Sequence, residues 1–104
     1  MNPPGYASEI DAIHDLRRRG YTADFEVRDD TLRDTAGGRQ FRPDELAIVE
    51  HHRFEGASDP EDMSVVYAIE SKDGLRGIVV DAFGAYANPQ LADFLQKVEV
   101  REQA

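Results

Sequence analysis

The residues best suited to chemistry cluster in the run Glu50-His51-His52-Arg53-Phe54-Glu55 and in the acidic stretch that follows it. Imidazole and carboxylate groups together ligate divalent transition metals or transfer protons. On a strand, Glu50 and His52 would share one face and His51 and Arg53 the other, because side chains alternate. Adjacent histidines are therefore not expected to ligate one metal ion. The metal candidates are His52, Glu50, Asp59 and Asp62, and the catalytic candidates are His52, Glu50 and Arg53.

The same run has a structural interpretation, as the solvent face of a strand beside an acidic turn. The sequence favours this interpretation, because it contains no GxSxG, HExxH, Walker A or GxGxxG pattern. No cofactor is indicated. His14 adjoins the apolar stripe of a predicted helix and is expected at its boundary. Asp81 lies in an apolar segment, so it becomes a site candidate only if it is buried beside a partner.

Length and composition limit the classes of protein to consider. The chain has 104 residues, a net charge of −9 and no cysteine. We therefore expect a single α+β domain over residues 1–104, with flexible ends at residues 1–7 and 99–104. The negative charge disfavours nucleic acids and anionic membranes as partners. The lack of cysteine and of a long apolar segment is compatible with a cytoplasmic location.

Two amphipathic helices are predicted near the ends of the chain. The first covers residues 8–19, between Ser8 as N-cap and Gly20 at the C′ position. The second covers residues 89–98. Apolar residues recur at helical spacing in both: Ile10, Ile13 and Leu16, then Leu91, Phe94, Leu95 and Val98. The arginines at 17–19 are expected to complement the dipole of the first helix; the other interpretation is an anion site.

Between the helices the chain alternates apolar and polar residues, which predicts strands. Four strands are predicted, at residues 21–28, 47–54, 64–71 and 75–83. Residues 31–33 are the candidate for a short fifth strand, and residues 39–42 are expected to form a brief extended segment. The turn signal Lys72-Asp73-Gly74 joins the last two of the four strands. The final strand is the most apolar and is therefore expected in the centre of the sheet. Gly77 within it indicates a close backbone approach or a bulge.

Strands joined by turns this short pair as antiparallel neighbours. One face of such a sheet needs an apolar cover, which two amphipathic helices supply. The predicted fold is therefore α+β: an antiparallel meander sheet of four to five strands, with the N-terminal and the C-terminal helix packed on one face.

The segment from Asp29 to Gly38 is similar to the phosphoribosyl-pyrophosphate loop of phosphoribosyltransferases, in which two acids precede a Thr-Gly-Gly-Thr sequence. Here the spacing is one residue longer, and Ala36 separates Thr35 from the glycines. No helix is predicted after the segment, so the helix N-terminus that would bind a phosphate is missing. The segment is interpreted as a pair of hairpin turns.

Three stretches carry a broader resemblance: GYTADFEV (20–27), HRFEGASDPEDMSVVYAI (52–69) and GIVVDAFGAY (77–86). Over about residues 8–97 the chain resembles a small bacterial family of similar length. Members of that family often carry the name phosphoribosylpyrophosphate synthetase. The name implies a phosphoribosyl ligand, but the resemblance implies no established activity and assigns no site residues.

The function expected from these observations is non-catalytic binding or regulation in a small bacterial protein. A free edge strand or exposed sheet face would bind a protein partner or a second copy of the chain, giving a homo-oligomer. The alternative is a small metal- or phosphoribosyl-ligand-dependent enzyme. An enzyme requires the candidate side chains to converge in a concave pocket, whereas a binding domain requires an exposed docking surface.

Overall fold

The computed structural model describes residues 8–54, 64–82 and 88–102. Its helices are α1 (Glu9–Arg18) and α2 (Pro89–Gln96), with a short 3₁₀ turn at Pro43–Glu45. Its strands are β1 (Ala23–Arg28), β2 (Thr31–Asp34), β3 (Gln40–Phe41), β4 (Leu46–Phe54), β5 (Ser64–Ser71), β6 (Arg76–Ala82) and β7 (Glu99–Val100). Within the described ranges these strands form one seven-stranded sheet in the order β3-β2-β1-β6-β5-β4-β7.

The chain combines helices and strands, but the predicted antiparallel meander of four to five strands is wrong. Two antiparallel units exist, β1-β2-β3 and β4-β5-β6. They are joined by a parallel pairing of β1 with β6, in which Ala23 lies opposite Gly77. β7 adds a second parallel pair beside β4. Short turns determine how consecutive strands pair, but they carry no information about strands that are distant in sequence.

The connection between β3 and β4 requires the sheet to curl into a half-barrel. Five strand-to-strand steps separate these strands in the sheet order. In a flat sheet those steps would span about 24 Å, at about 4.8 Å each. The chain from Phe41 to Leu46 reaches at most about 17 Å even when extended. The curled sheet brings the two ends together, and Arg39, which precedes β3, contacts Asp73, which follows β5.

The two helices pack on opposite faces of the sheet, so the prediction that both cover one face is also wrong. α1 contributes Leu16 to a cluster with Val66, Ala68 and Ile78. α2 packs in a larger cluster that draws on all strands from β1 to β6; it includes Phe25, Leu32, Phe41, Ile48, Ile69, Val79, Leu91, Phe94 and Leu95. Residues 66 and 68 of β5 face α1 whereas residue 69 faces α2, as alternation along a strand requires. α2 therefore fills the inside of the curl, and α1 covers the outside.

Both predicted helices are confirmed, and their ends follow local chemistry. The Asp11 N–H donates to Ser8 Oγ at 3.2 Å, and Gly20 follows α1 with φ of +101°. Asn88 Oδ1 accepts the Gln90 N–H at 3.0 Å at the start of α2. Asp81 is half-buried, and its carboxylate accepts the Asn88 N–H at 3.1 Å. Asp81 therefore fixes the beginning of α2, a structural role.

Two predictions about the centre and the end of the chain have different outcomes. β6 is the middle strand of the sheet, as its apolar character indicated. Residues 99–104 were expected to be flexible, but Glu99–Val100 form β7 beside Ala47 and Ile48. The prediction for residues 1–7 falls outside the described ranges. Among the described residues, neither helix has the length and apolar character of a membrane span.

Candidate functional site

A cleft of about 510 Å³ opens at the edge of the sheet beside β4. The pairing of β4 with β5 shifts between Ile48 and Glu50, so Val49 is the extra residue of a β-bulge. β7 pairs only with Ala47 and Ile48. Beyond the bulge, the outer edge of β4 has no strand beside it in the described part of the chain. The walls of the cleft are residues 49–52, Tyr21, Glu70, Arg101 and Glu102.

Two of the predicted site residues, Glu50 and His52, meet in this cleft. His52 Nε2 lies 2.7 Å from Glu50 Oε2. Arg19, at the end of α1, donates from Nη1 to Glu50 Oε1 at 3.2 Å and also contacts Asp15 at 3.2 Å. Burial would raise the pKa of Glu50, but hydrogen bonds from Arg19 and His52 outweigh it and lower that pKa. Glu50 is therefore an ionised carboxylate that lies between Arg19 and His52. Such a carboxylate is poorly suited to act as a general base at neutral pH.

Replacement of Glu50 by glutamine tests this ion-pair arrangement. A lowered pKa means that ionised Glu50 stabilises the fold above its unperturbed pKa of 4.5 and loses that contribution as pH falls through its folded-state pKa. Glu50→Gln is therefore expected to be less stable than the wild type by about 1 kcal/mol at pH 7. The difference should shrink in urea titrations at pH values below 4.5. A difference that stays constant across this range would show that the charge of Glu50 has no role in stability.

His51 lies on the other face of β4, as alternation predicted, yet it lines the same cleft because the cleft opens around the strand edge. Its Nδ1 contacts the Glu102 carboxylate, and its ring stacks with Tyr67 at 6.2 Å between centroids. Burial raises the pKa of Tyr67, and the charge of Asp81 raises it further while Arg53 opposes the shift. Arg53 itself lies opposite Val65 of β5 and does not line the cleft.

The structure does not bring together a metal site from the residues it describes. In the described ranges, no group of three or more histidines, aspartates or glutamates is arranged to hold a metal ion. Asp59 and Asp62, which were predicted to complete such a site, fall outside those ranges. His14 is exposed on α1 and remote from this cleft's walls. The side chains that the structure does assemble are the Glu50–His52 pair and the His51–Glu102 pair.

Several residues of the cleft are not predicted by the sequence patterns, and one signal could have indicated them. The arginine triplet at the end of α1 is engaged within the protein, since Arg17 contacts Asp24, Arg18 contacts Asp15 and Arg19 contacts Glu50. The dipole interpretation placed these charges at the helix end but did not assign their partners. Tyr21 lies between two guanidinium groups, 5.9 Å from Arg19 and 5.7 Å from Arg76. An aromatic residue two positions after an arginine cluster is the pattern that could have indicated this contact.

The segment similar to a phosphoribosyl-pyrophosphate loop forms two hairpin turns, as interpreted. Asp29 and Asp30 connect β1 to β2, and residues 35–37 follow β2 in the turn before β3. A second cleft, of about 780 Å³, lies beside Asp29 and Asp30, and its walls include Asp44 and Asp93. Carboxylates outnumber cations in these walls, which repels a phosphate group. The local geometry therefore gives no support to phosphate binding at this segment.

Comparisons with protein-family models, with curated proteins and with solved structures give no match to this chain. The resemblance to the family that carries the name phosphoribosylpyrophosphate synthetase therefore stays a prediction.

Proposed function

We propose that this protein is a non-catalytic binding domain that takes an extended segment of a protein partner onto the edge of β4. The observation that carries the proposal is the opening beyond Val49, where the described part of the chain places no strand. An uncovered edge presents main-chain N–H and C=O groups that an added strand satisfies. The adjoining cleft gives one side chain of that segment a pocket of about 510 Å³.

The charges around the cleft support binding more than catalysis. Glu50 is paired with Arg19 and His52, and Glu102 contacts His51. Glu70 is paired with Arg76 at 3.2 Å. To act as a general base or a metal ligand, each of these carboxylates would first have to lose the contact with its partner. Because these charges neutralise one another, the strand edge is what remains available to a ligand, with Tyr21 as an aromatic wall of the cleft.

The occupant of the edge is a strand of another protein or of a second copy of this chain, in a cytoplasmic setting. Size-exclusion chromatography with light scattering over a range of concentrations separates these two occupants. A mass that rises with concentration would indicate a homo-oligomer; a constant monomer mass would indicate another protein.

Selection from a displayed library of random peptides tests the proposal directly. We expect the full chain to select extended sequences rich in β-branched and aromatic residues. Tyr21→Ala should weaken binding of the selected peptides by more than about fivefold, because it removes an aromatic wall of the cleft. Val80→Ala is the matched control, since Val80 is 41% exposed on the α1 face of the sheet and does not line the cleft. Equal affinity of both variants would contradict a site at this edge.

The alternative function, a small metal- or phosphoribosyl-dependent enzyme, is favoured by the Glu50–His52 pair alone. Thermal melting against Zn²⁺, Mn²⁺, Mg²⁺, ATP, ribose 5-phosphate and phosphoribosyl pyrophosphate tests it. A ligand at 100 times its Kd would add about 2.7 kcal/mol of stability. In a domain of this size, that raises Tm by about 10 °C or more. We expect no such shift; one that His52→Ala abolishes would establish the alternative.

A further inference from the structure

We propose that β7 is a displaceable strand that competes with a partner segment for the β4 edge. This inference rests on the proposed function, because it assumes that the edge accepts an added strand. β7 is itself such a strand: it pairs in parallel with Ala47 and Ile48, directly before the opening at Val49. If β7 were released, the open edge would comprise the whole of β4 and not only the part beyond the bulge at Val49.

Few interactions hold β7 in place. It consists of two residues, both exposed, and the Val100 side chain is 61% exposed. The Arg101 N–H donates to the Ile48 carbonyl at 2.8 Å. Val98, which precedes β7, is only 5% exposed and packs in the core around α2. Release would therefore begin after Val98, would uncover little apolar surface and would leave the core intact.

The contact between Glu102 and His51 identifies the chemistry of the competing segment. The Glu102 carboxylate contacts His51 Nδ1 where the cleft begins. The His51 side chain is 49% exposed, and hydrogen bonds or ion pairs at such exposed positions contribute little to stability. A partner segment can therefore displace Glu102 without a large loss. The segment that fits is extended and parallel to β4, with an acidic side chain at the position of Glu102.

Two substitutions at one position test whether β7 is displaceable. Arg101→Pro removes the N–H that donates to Ile48, whereas Arg101→Ala keeps this donor. Both variants lose the arginine side chain, so their difference comes from the main chain, where proline lacks the N–H and fixes φ. We expect amide exchange at residues 46–49 to be about tenfold faster in Arg101→Pro than in Arg101→Ala. Equal exchange would overturn the proposal.

A synthetic peptide with the sequence of residues 98–102, VEVRE, tests the competition in trans. We expect it to bind Arg101→Pro at least about tenfold more tightly than Arg101→Ala, because the edge is then vacant. Replacing its final glutamate by glutamine should weaken that binding. Equal binding to the two variants, or none to either, would overturn the competition. If the library peptides bind none of the variants, that result contradicts the proposed function. The exchange comparison between Arg101→Pro and Arg101→Ala tests the release of β7 separately, because it needs no partner.

Discussion

Replacing Gly77 by alanine is expected to lower the free energy of unfolding by about 3 kcal/mol or more. A Cβ atom at this position would lie 2.6 Å from the Ala23 carbonyl oxygen and 2.6 Å from Phe25 Cε2. The carbonyl belongs to the backbone of β1, which pairs with β6 at this point. The added methyl group would therefore separate the two antiparallel units at the parallel pairing that joins them.

Gly74→Ala is the matched control for this substitution. Gly74 lies in the turn after β5 with φ of +98°, and no atom lies within 4 Å of a Cβ built there. Its replacement should cost only the strain of a left-handed backbone, about 1 kcal/mol. Urea denaturation of both variants gives the comparison. Similar losses in the two would show that β1 and β6 do not approach as closely as described.

Replacing Leu16 by alanine is expected to lower the free energy of unfolding by about 3 kcal/mol. The Leu16 side chain is 0% exposed, and it packs with Val66, Ala68 and Ile78 on the outer face of the sheet. Truncation leaves a cavity between α1 and the sheet that the small neighbour Ala68 cannot fill. Chemical denaturation monitored by circular dichroism measures the loss.

Ile10→Ala on the same helix separates the loss of core packing from any change in helix propensity. The sequence placed Ile10 and Leu16 on one apolar stripe, but Ile10 is 62% exposed. Its truncation should change stability by less than about 0.5 kcal/mol. If Ile10→Ala were as destabilising as Leu16→Ala, α1 would have to pack through a different face from the one described.

Local sequence patterns predicted the elements of this fold well, and its long-range arrangement poorly. Ser8, Gly20 and Asn88 correctly indicated helix ends, because capping depends on neighbours within a few residues. Gly77 correctly indicated a close approach but not its partner, Ala23. The parallel pairing of β1 with β6 depends on strands far apart in sequence, and no turn connects them. The placement of the helices on opposite faces follows from the curl of the sheet, which a list of elements does not contain.

In the cleft, too, contacts between residues close in sequence were predicted, whereas contacts between residues far apart in sequence were not. Alternation along β4 correctly placed Glu50 and His52 on one face, and their contact at 2.7 Å follows from it. Arg19 and Glu102 come from opposite ends of the chain, so the run of residues 50–55 gave no indication of them. The bulge at Val49 also escaped prediction, because it appears only in the pairing of β4 with β5. Those three features support the proposal of a binding site at this edge more than that of a catalytic site.

Hydrogen exchange of the full chain, with and without a library-selected peptide, is the most direct test of whether a partner segment adds to the β4 edge. If the peptide adds to the sheet as proposed, its main chain bonds to β4, and amides within residues 49–54 should become protected on binding. Amides beside the acidic cleft at Asp29 and Asp93 should be unchanged. Protection confined to that second cleft, or binding without any protection in β4, would contradict a binding domain that works through its sheet edge.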